Sequence, residues 1–397
     1  MIGRFWPALA LALLLAAAPT ARSASLPPDL ASLLGPADSL LVTAADGRRL
    51  MAWNAEAPRV PASVLKLLTA HLALTRLGPD YRFTTSLFQD EAGRLYVRGH
   101  GDPLLTSEVL AGLARDLAPR LAPVSDLVVD DGDFVQPLTI PGVTDTLNPY
   151  DAPNGALCVN FNTIAVRRDA SGRYASAEPQ TPLLPFARTL LQQRPPANGR
   201  LVLTHDGGQA AVYAGHLLAH FLAAAGRPVA GTVRPGTVPP EARPVMVFAS
   251  PFPLTEVIAR MLEHSNNFIA NQLLIAAGAR AYGLPGSLAK GVRLAAAHAR
   301  RHLGWTAFQL VEGSGISRQN QVTATDLDRL LAAFVPHRHL LSSRGRTRYK
   351  TGTLNGIQTR AGYIEGGSGT LYRFVILVNT AGRRADPVLA ALRQRLP

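Results

Sequence analysis

Ser63 and Lys66 lie three residues apart in the segment Ser63-Val64-Leu65-Lys66. On a helix, residues i and i+3 share one face, so the lysine amine comes within reach of the serine hydroxyl. A serine is a weak nucleophile until a base removes its proton. A lysine in an apolar helix has its pKa lowered by desolvation and can act as that base. The spacing is typical of an activated serine, although S-x-x-K alone also occurs at ordinary helix starts.

A second motif, S-x-N, is formed by Ser265 and Asn267 between two apolar segments. A hydroxyl at such a joint can relay a proton to a leaving amine. An asparagine amide can bind a substrate carbonyl or hold a lysine. Serine and asparagine are also common helix caps, so this motif carries little information alone.

The third motif is K-T-G-T, formed by Lys350, Thr351, Gly352 and Thr353 at the start of an apolar run. Glycine allows another chain segment or a ligand to approach a strand closely. An ammonium group and hydroxyls at that edge suit a substrate carboxylate. A lysine that merely protects a sheet edge is the alternative interpretation.

Lysine is rare in this chain, which makes its placement informative. Of the 40 basic residues only Lys66, Lys290 and Lys350 are lysines, and two of these lie in the motifs above. Arginine cannot be deprotonated in a protein, so a retained lysine indicates a need for an amine. S-x-x-K, a middle S-x-N-type motif and K-T-G, in this order, are the motif set of penicillin-binding proteins and class A β-lactamases.

On these motifs the sequence resembles the D-alanyl-D-alanine carboxypeptidase/endopeptidase family, the low-molecular-mass penicillin-binding proteins with a large insert after the S-x-x-K helix. The resemblance covers about residues 38–379. Further matching segments are Pro61-Ala62-Ser63, Lys66-Leu67-Leu68-Thr69-Ala70, Gly99-His100-Gly101-Asp102-Pro103, Tyr150-Asp151-Ala152-Pro153, Val159-Asn160-Phe161-Asn162, Gly313-Ser314-Gly315-Ile316-Ser317-Arg318 and Thr359-Arg360-Ala361-Gly362-Tyr363. Asn266 and Glu312 stand where the family usually has Asp, and neither change removes a catalytic group.

The resemblance implies a role for each motif residue. Ser63 is expected to attack the carbonyl of the penultimate D-Ala, Lys66 to take its proton, and Ser265 to return a proton to the leaving amine. Substrate binding is expected from Asn267, Lys350, Thr351, Gly352 and Thr353. Peptidoglycan stem peptides are the implied substrates, and β-lactam antibiotics the implied covalent inhibitors. No metal or cofactor is expected.

The fold is predicted to be α+β, with an antiparallel sheet flanked by helices as in penicillin-binding proteins and serine β-lactamases. A hairpin over residues 38–53 and a helix over 61–77 precede a region of short apolar runs and turns. Helices and then strands return from residue 255 onward. The predicted divisions are residues 1–23 as a signal peptide, 24–84 with 241–397 as a discontinuous peptidase domain, and 85–240 as an inserted, mainly β domain.

Residues 1–23 have the pattern of a secretory signal: Arg4, an apolar run and a small-residue cleavage site. Export across the inner membrane to the periplasm or the cell wall space is therefore predicted. The formal charge of +13 indicates a solvated, arginine-rich surface, or peripheral contact with the cell wall or a membrane surface. No nucleic-acid-binding motif is present, so nucleic acid is not an expected partner. The oligomeric state stays open.

Other candidate sites are weaker. His216 and His220 are spaced i, i+4, but Leu217 stands where a zinc peptidase motif needs glutamate. Cys158 lies between apolar residues and is interpreted as a buried small side chain. The run Gly313-Ser314-Gly315 is interpreted as a tight turn that supports the site.

Three functions remain open from the sequence. A D,D-peptidase acting as a carboxypeptidase, an endopeptidase or both is the main hypothesis. A β-lactamase on the same fold would need a water-activating group that the sequence does not locate. A catalytically weak protein that binds wall peptides would not need both Lys66 and Lys350.

Overall fold

The computed structural model describes residues 26–193, 198–367 and 369–396. The predicted signal peptide, residues 1–23, lies outside the described residues. The helices are α1 (Pro28–Ser32), α2 (Lys66–Leu77), α3 (Ser107–Leu117), α4 (Pro185–Gln193), α5 (Gly207–Ala224), α6 (Leu254–His264), α7 (Asn267–Tyr282), α8 (Leu288–Leu303), α9 (Ala324–Phe334) and α10 (Ala385–Arg395). In the part of the chain so described, no helix is both long and apolar enough to cross a membrane.

Fourteen strands of the described residues form three sheets. They are β1 (Ser39–Thr43), β2 (Arg49–Trp53), β3 (Thr84–Gln89), β4 (Leu95–Gly99), β5 (Leu127–Asp130), β6 (Thr163–Arg168), β7 (Tyr174–Ser176), β8 (Gly199–Val202), β9 (Val233–Pro235), β10 (Arg243–Ala249), β11 (Ser343–Arg344), β12 (Thr347–Leu354), β13 (Ile357–Glu365) and β14 (Leu371–Val378).

The main sheet joins the two ends of the described chain. Its strand order is β11-β12-β13-β14-β1-β2, and all neighbours are antiparallel. Strand β1 pairs with β14 from Ser39 opposite Leu377 to Thr43 opposite Arg373. The hairpin of β1 and β2 is thus extended by β14, the last of the described strands.

Both faces of this sheet are covered, which explains why β1 is buried at every position. Successive side chains of a strand point to opposite faces. Leu41 therefore packs with α2, α6, α7 and α9, whereas Leu40 and Val42 pack with α1 and α10. The α+β class and the antiparallel sheet flanked by helices are confirmed.

The inserted region differs from the expectation in its secondary-structure content. It holds a five-stranded sheet, β10-β3-β4-β5-β9, and a three-stranded sheet, β7-β6-β8, but also helices α3, α4 and α5, so it is not mainly β. The apolar side of α3 and the long α5 pack on the five-stranded sheet in one core. Strand β10, which was assigned to the peptidase domain, pairs with β3. We propose that the insert extends over residues 84–250.

Candidate active site

The three motifs converge beside the edge of the main sheet. Ser63 lies in a 3-10 helix, Ala62–Leu65, that leads directly into α2. The predicted continuous helix from Pro61 is therefore two segments, and Ala62 has a left-handed φ of 49°. Lys66 still lies next to Ser63, with 3.0 Å between the lysine Nζ and the serine Oγ.

Lys66 is completely buried and has three polar neighbours. Besides Ser63, its Nζ lies 2.7 Å from Asn267 Oδ1 and 2.7 Å from the carbonyl oxygen of Ser314. Burial holds the pKa of Lys66 well below its usual value, and the positive charge of Lys350 acts in the same direction, while Glu312 opposes both. The environment favours a neutral amine, which is the form that can accept a proton from Ser63.

The S-x-N motif forms the joint between α6 and α7. Ser265 ends α6 with a left-handed φ of 54°, and Asn266 caps α7 by accepting a hydrogen bond from Ile269 N. The capping role explains why asparagine serves at position 266, since either Asn or Asp can cap a helix. Asn267, the first residue of α7, holds Lys66 with its side-chain oxygen.

Strand β12 supplies the third motif. Lys350 Nζ donates hydrogen bonds to Ser265 Oγ and to the Thr351 carbonyl, each over 2.9 Å. Burial, with help from Arg360 and Arg344, lowers the pKa of Lys350 to about 8. An ammonium in this position links the strand to the helix joint.

Gly352 allows β12 to approach the nucleophile. A Cβ atom at this position would lie 2.2 Å from Thr359 Oγ1 and 2.8 Å from Ser63 N. Both distances are far below van der Waals contact, so only glycine fits here. The close approach brings the backbone of the strand beside the Ser63 amide.

The Gly313-Ser314-Gly315 turn is held by Glu312, as expected for a support rather than a second nucleophile. The buried carboxylate accepts hydrogen bonds from Ser314 N and Oγ (both 2.6 Å), Gly315 N (2.7 Å) and Asn320 Nδ2 (2.6 Å). This network aims the Ser314 carbonyl at Lys66. A Cβ at Gly315 would lie 1.9 Å from the Ala62 carbonyl oxygen, so the turn packs directly against the nucleophile segment.

A cavity of about 590 Å³ opens above these groups. It is lined by Ser63, Pro149, Tyr150, His264, Ser265, Asn266, Asn267, Ile316, Thr353, Leu354 and Asn355.

Four of the predicted site residues line this cavity, namely Ser63, Ser265, Asn267 and Thr353. Lys66 and Lys350 lie beneath the cavity and donate hydrogen bonds to two side chains that line it, Ser63 and Ser265 respectively. Thr351 does not line the cavity, and its carbonyl accepts a hydrogen bond from Lys350 Nζ.

Sequence reasoning missed the residues that the insert contributes. Pro149 and Tyr150 border the cavity, and Tyr150 is 53% exposed. The Tyr150 segment was noticed as a match to the family, but no local pattern indicated that it reaches Ser63. The roles of Glu312 and of the Ser314 carbonyl were likewise invisible, since they depend on a tertiary contact with α2.

Fold and site together define a protein of the penicillin-binding class. The fold matches penicillin-binding protein 4 (dacB) from Haemophilus influenzae with a TM-score of 0.71 at 20% identity, over 89% of this chain and 93% of that one. The predatory peptidoglycan endopeptidase Bd3459 from Bdellovibrio bacteriovorus matches with a TM-score of 0.53 at 17% identity, over 90% of each chain.

Residues 31–190 and 195–342 match the model of the D-Ala-D-Ala carboxypeptidase 3 (S13) family, and the chain belongs to this family. It is therefore a hydrolase of the D-Ala-D-Ala carboxypeptidase type. A D-alanyl-D-alanine carboxypeptidase from Actinomadura sp. (strain R39) is 28% identical over 90% of this chain and 80% of its own length. Carboxypeptidase DacB from Mycolicibacterium smegmatis is 27% identical, over 94% and 85% respectively.

Proposed function

We propose that this protein is a serine D,D-peptidase that hydrolyses D-Ala-D-Ala termini, D-Ala-containing cross-links of peptidoglycan, or both, through an acyl-enzyme on Ser63. One observation carries the proposal: Ser63 Oγ lies 3.0 Å from the amine of a fully buried lysine. Among the described residues, the hydrogen-bond partners of the lysine amine are Ser63, Asn267 and a backbone carbonyl, none of which is acidic.

Acylation begins at Ser63. Lys66 takes the hydroxyl proton as Oγ attacks the carbonyl carbon of the penultimate D-Ala. The backbone N–H groups of Ser63 and Thr353 receive the developing oxyanion, and each such donor typically contributes about 3–4 kcal/mol of transition-state stabilisation. The close approach that Gly352 permits supports this pairing of amides.

The terminal D-Ala carboxylate is bound by the K-T-G-T strand. Lys350 supplies the positive charge and Thr353 a hydroxyl at the cavity wall. Thr351 contributes through its carbonyl, which orients Lys350. Asn267 both holds Lys66 and borders the cavity, so its amide is available to the peptide backbone.

The leaving amine receives its proton through Ser265. The Ser265 hydroxyl lines the cavity and is hydrogen-bonded to Lys350, which can resupply the proton. D-Ala then departs, and water hydrolyses the ester on Ser63.

A β-lactam that enters the same cavity leaves Ser63 acylated. Rapid β-lactam hydrolysis needs a group that activates water, and among the described residues that line the cavity there is no Asp or Glu. This favours a peptidase over a β-lactamase. Peptidoglycan stem peptides are the proposed partners, and the periplasm or the wall space is the proposed location.

The first test is intact mass after incubation with benzylpenicillin, with Ser63→Ala as the matched variant. We expect a stable adduct on the wild type and none on Ser63→Ala, followed by D-Ala release from a D-Ala-D-Ala peptide. Rapid penicillin loss without an adduct would make the protein a β-lactamase. If the wild type forms no adduct and consumes no penicillin, a wall-peptide-binding protein becomes the better interpretation.

A further inference from the structure

A second arrangement of a serine, a histidine and an aspartate lies in the insert. The Ser86 Oγ is 2.7 Å from His100 Nε2, and His100 Nδ1 is 2.6 Å from Asp133 Oδ2. These two contacts have the connectivity of a Ser–His–Asp triad, in which the carboxylate orients the imidazole and the imidazole takes the serine proton. The proposed acyl-enzyme chemistry at Ser63 uses none of the three.

The backbone holds His100 in place. Strand β4 ends at Gly99, and Gly101 has a φ of +84°, a left-handed conformation that suits glycine. The Gly101 amide donates to the Ala156 carbonyl over 2.7 Å, and a Cβ at Gly101 would lie 2.5 Å from the Phe134 ring. The turn is thus fixed on both sides, and the imidazole has a defined position beside β3.

Asp133 sets the orientation of the imidazole. Its Oδ1 accepts a 2.7 Å hydrogen bond from Arg98 Nε, which leaves Oδ2 for His100. Burial raises the pKa of Asp133, but the hydrogen bonds from His100 and Arg98 outweigh this effect and hold the pKa below its usual value. An ionised Asp133 keeps the proton of a neutral His100 on Nδ1, so Nε2 is free to accept the proton of Ser86.

His100 and Asp133 border a separate cavity of about 430 Å³ between the insert and α7. Its lining includes His100 and Asp133, the polar side chains of Tyr81, Thr84 and Arg280, and the apolar Leu284. Ser86 lies two residues beyond Thr84 on β3 and therefore on the same face of the strand. None of the residues that line this cavity lines the one at Ser63.

We propose that Ser86, His100 and Asp133 form a second hydrolytic site, which acts on small acyl esters bound in this cavity. The size of the cavity suits a small molecule. Its apolar wall at Leu284 suits the acyl group. Arg280 and the hydroxyls of Tyr81 and Thr84 are the donors that can face the ester carbonyl oxygen.

The reaction needs only the ester and water. Ser86 Oγ forms a bond to the carbonyl carbon while its proton moves to His100 Nε2. The tetrahedral intermediate expels the alcohol, which takes that proton as the C–O bond breaks. Water then attacks the acyl-Ser86 ester, its proton passes to His100, and the carboxylic acid leaves as Ser86 is reprotonated.

The test uses the full chain with Ser63→Ala, so that the proposed peptidase nucleophile is absent. We expect this variant to take up one phosphoryl group from diisopropyl fluorophosphate, mapped to the peptide that contains Ser86, and to hydrolyse 4-nitrophenyl acetate. Adding Ser86→Ala should abolish the label and lower the ester hydrolysis rate at least about 100-fold. His100→Gln should have the same effect.

Two controls separate chemistry from folding. Ser125→Ala, which removes another serine hydroxyl of the insert, should leave labelling unchanged. Ser86→Ala with Ser63 intact should keep D-Ala release and the unfolding midpoint of the wild type. The proposal is overturned if Ser63→Ala takes no label, takes it at another residue, or keeps it when Ser86 is replaced. None of these outcomes bears on the function proposed for Ser63.

Discussion

At the scale of single residues, the chemistry depends on the proton affinity of Lys66. The amine is buried among a hydroxyl, an amide oxygen and a carbonyl, and no acidic side chain of the described part of the chain hydrogen-bonds to it. Such surroundings satisfy its hydrogen-bonding capacity but stabilise its charge poorly. A buried amine whose pKa is lowered in this way, next to a serine hydroxyl, is suited to accepting the serine proton.

Replacing Lys66 by methionine keeps the length of the side chain but removes the base. We expect Lys66→Met to lower the rate of acylation by benzylpenicillin by about 10²–10⁴-fold, the usual contribution of a general base. Stopped-flow or mass-spectrometric acylation kinetics would measure it. Lys290→Met is the matched control, because Lys290 does not line the Ser63 cavity and its Nζ donates to the Gly283 and Pro285 carbonyls. Acylation of Lys66→Met at the wild-type rate would contradict the role of Lys66.

The charge of Glu312 should influence the proton affinity of Lys66 without direct contact. Its negative charge raises the pKa of Lys66, so removal of that charge should lower the pKa further. We expect Glu312→Gln to move the acid limb of the pH–acylation profile to lower pH. We also expect a loss of about 1–3 kcal/mol in the free energy of unfolding from weakened buried hydrogen bonds. Glu312→Asp, which retains the charge, should keep the limb near its wild-type position. An unshifted limb in Glu312→Gln would contradict the electrostatic coupling.

At the scale of elements, the site depends on how close β12 comes to the 3-10 turn of Ser63. Two glycines make the contact possible, Gly352 on the strand and Gly315 on the supporting turn, and each leaves no room for a Cβ. Because interiors are densely packed, such a contact cannot absorb even one additional methyl group without displacement.

Gly352→Ala should therefore displace β12 from the Ser63 turn. We expect an acylation rate at least about tenfold lower and a free energy of unfolding reduced by about 1–3 kcal/mol, typical of overpacking. Gly112→Ala in α3 is the control: there a Cβ meets nothing closer than 3.8 Å, and alanine favours a helix. Kinetics and urea unfolding would measure both variants. Normal acylation by Gly352→Ala would show that the close approach is not needed.

At the scale of the whole molecule, a histidine pair joins the helix of the nucleophile to a distant part of the chain. His71 on α2 lies with its Nδ1 2.9 Å from Nε2 of His298 on α8. His298 is completely buried, and burial, followed by the charges of His71, His302 and Arg76, lowers its pKa to about 4. In the unfolded chain a histidine has a pKa of about 6.5, so there it binds a proton more readily.

Stability should therefore fall as the pH drops. Below about pH 6.5, His298 is protonated in the unfolded chain, whereas in the folded protein it stays neutral down to about pH 4. Over that range the free energy of unfolding falls by an amount on the order of 3 kcal/mol. We expect His298→Gln to lose less free energy of unfolding between pH 7 and pH 5 than the wild type does. Urea unfolding at both values would measure this. An equal loss in both proteins would rule out His298 as a source of acid sensitivity.

Much of this molecule follows from local sequence. The S-x-x-K spacing brings Lys66 to Ser63 through backbone geometry alone, whether the segment is a 3-10 or an α-helix. The S-x-N motif ends one helix and starts another because Asn266 can cap α7. The apolar runs on either side of Asp46-Gly47 predicted a hairpin over residues 38–53, and β1 and β2 form it.

Tertiary structure decided what no local pattern specifies. Strand β10 pairs with β3, which no local pattern indicated, and the Ser314 carbonyl and the Glu312 carboxylate act on Lys66 through a turn far along the chain. The Ser86–His100–Asp133 arrangement also arises from three separate segments. Local sequence determines backbone conformation and helix ends, because those energies act between near neighbours. Contacts between distant segments, and the pKa shifts they cause, depend on packing that exists only once the sheets and helices have assembled.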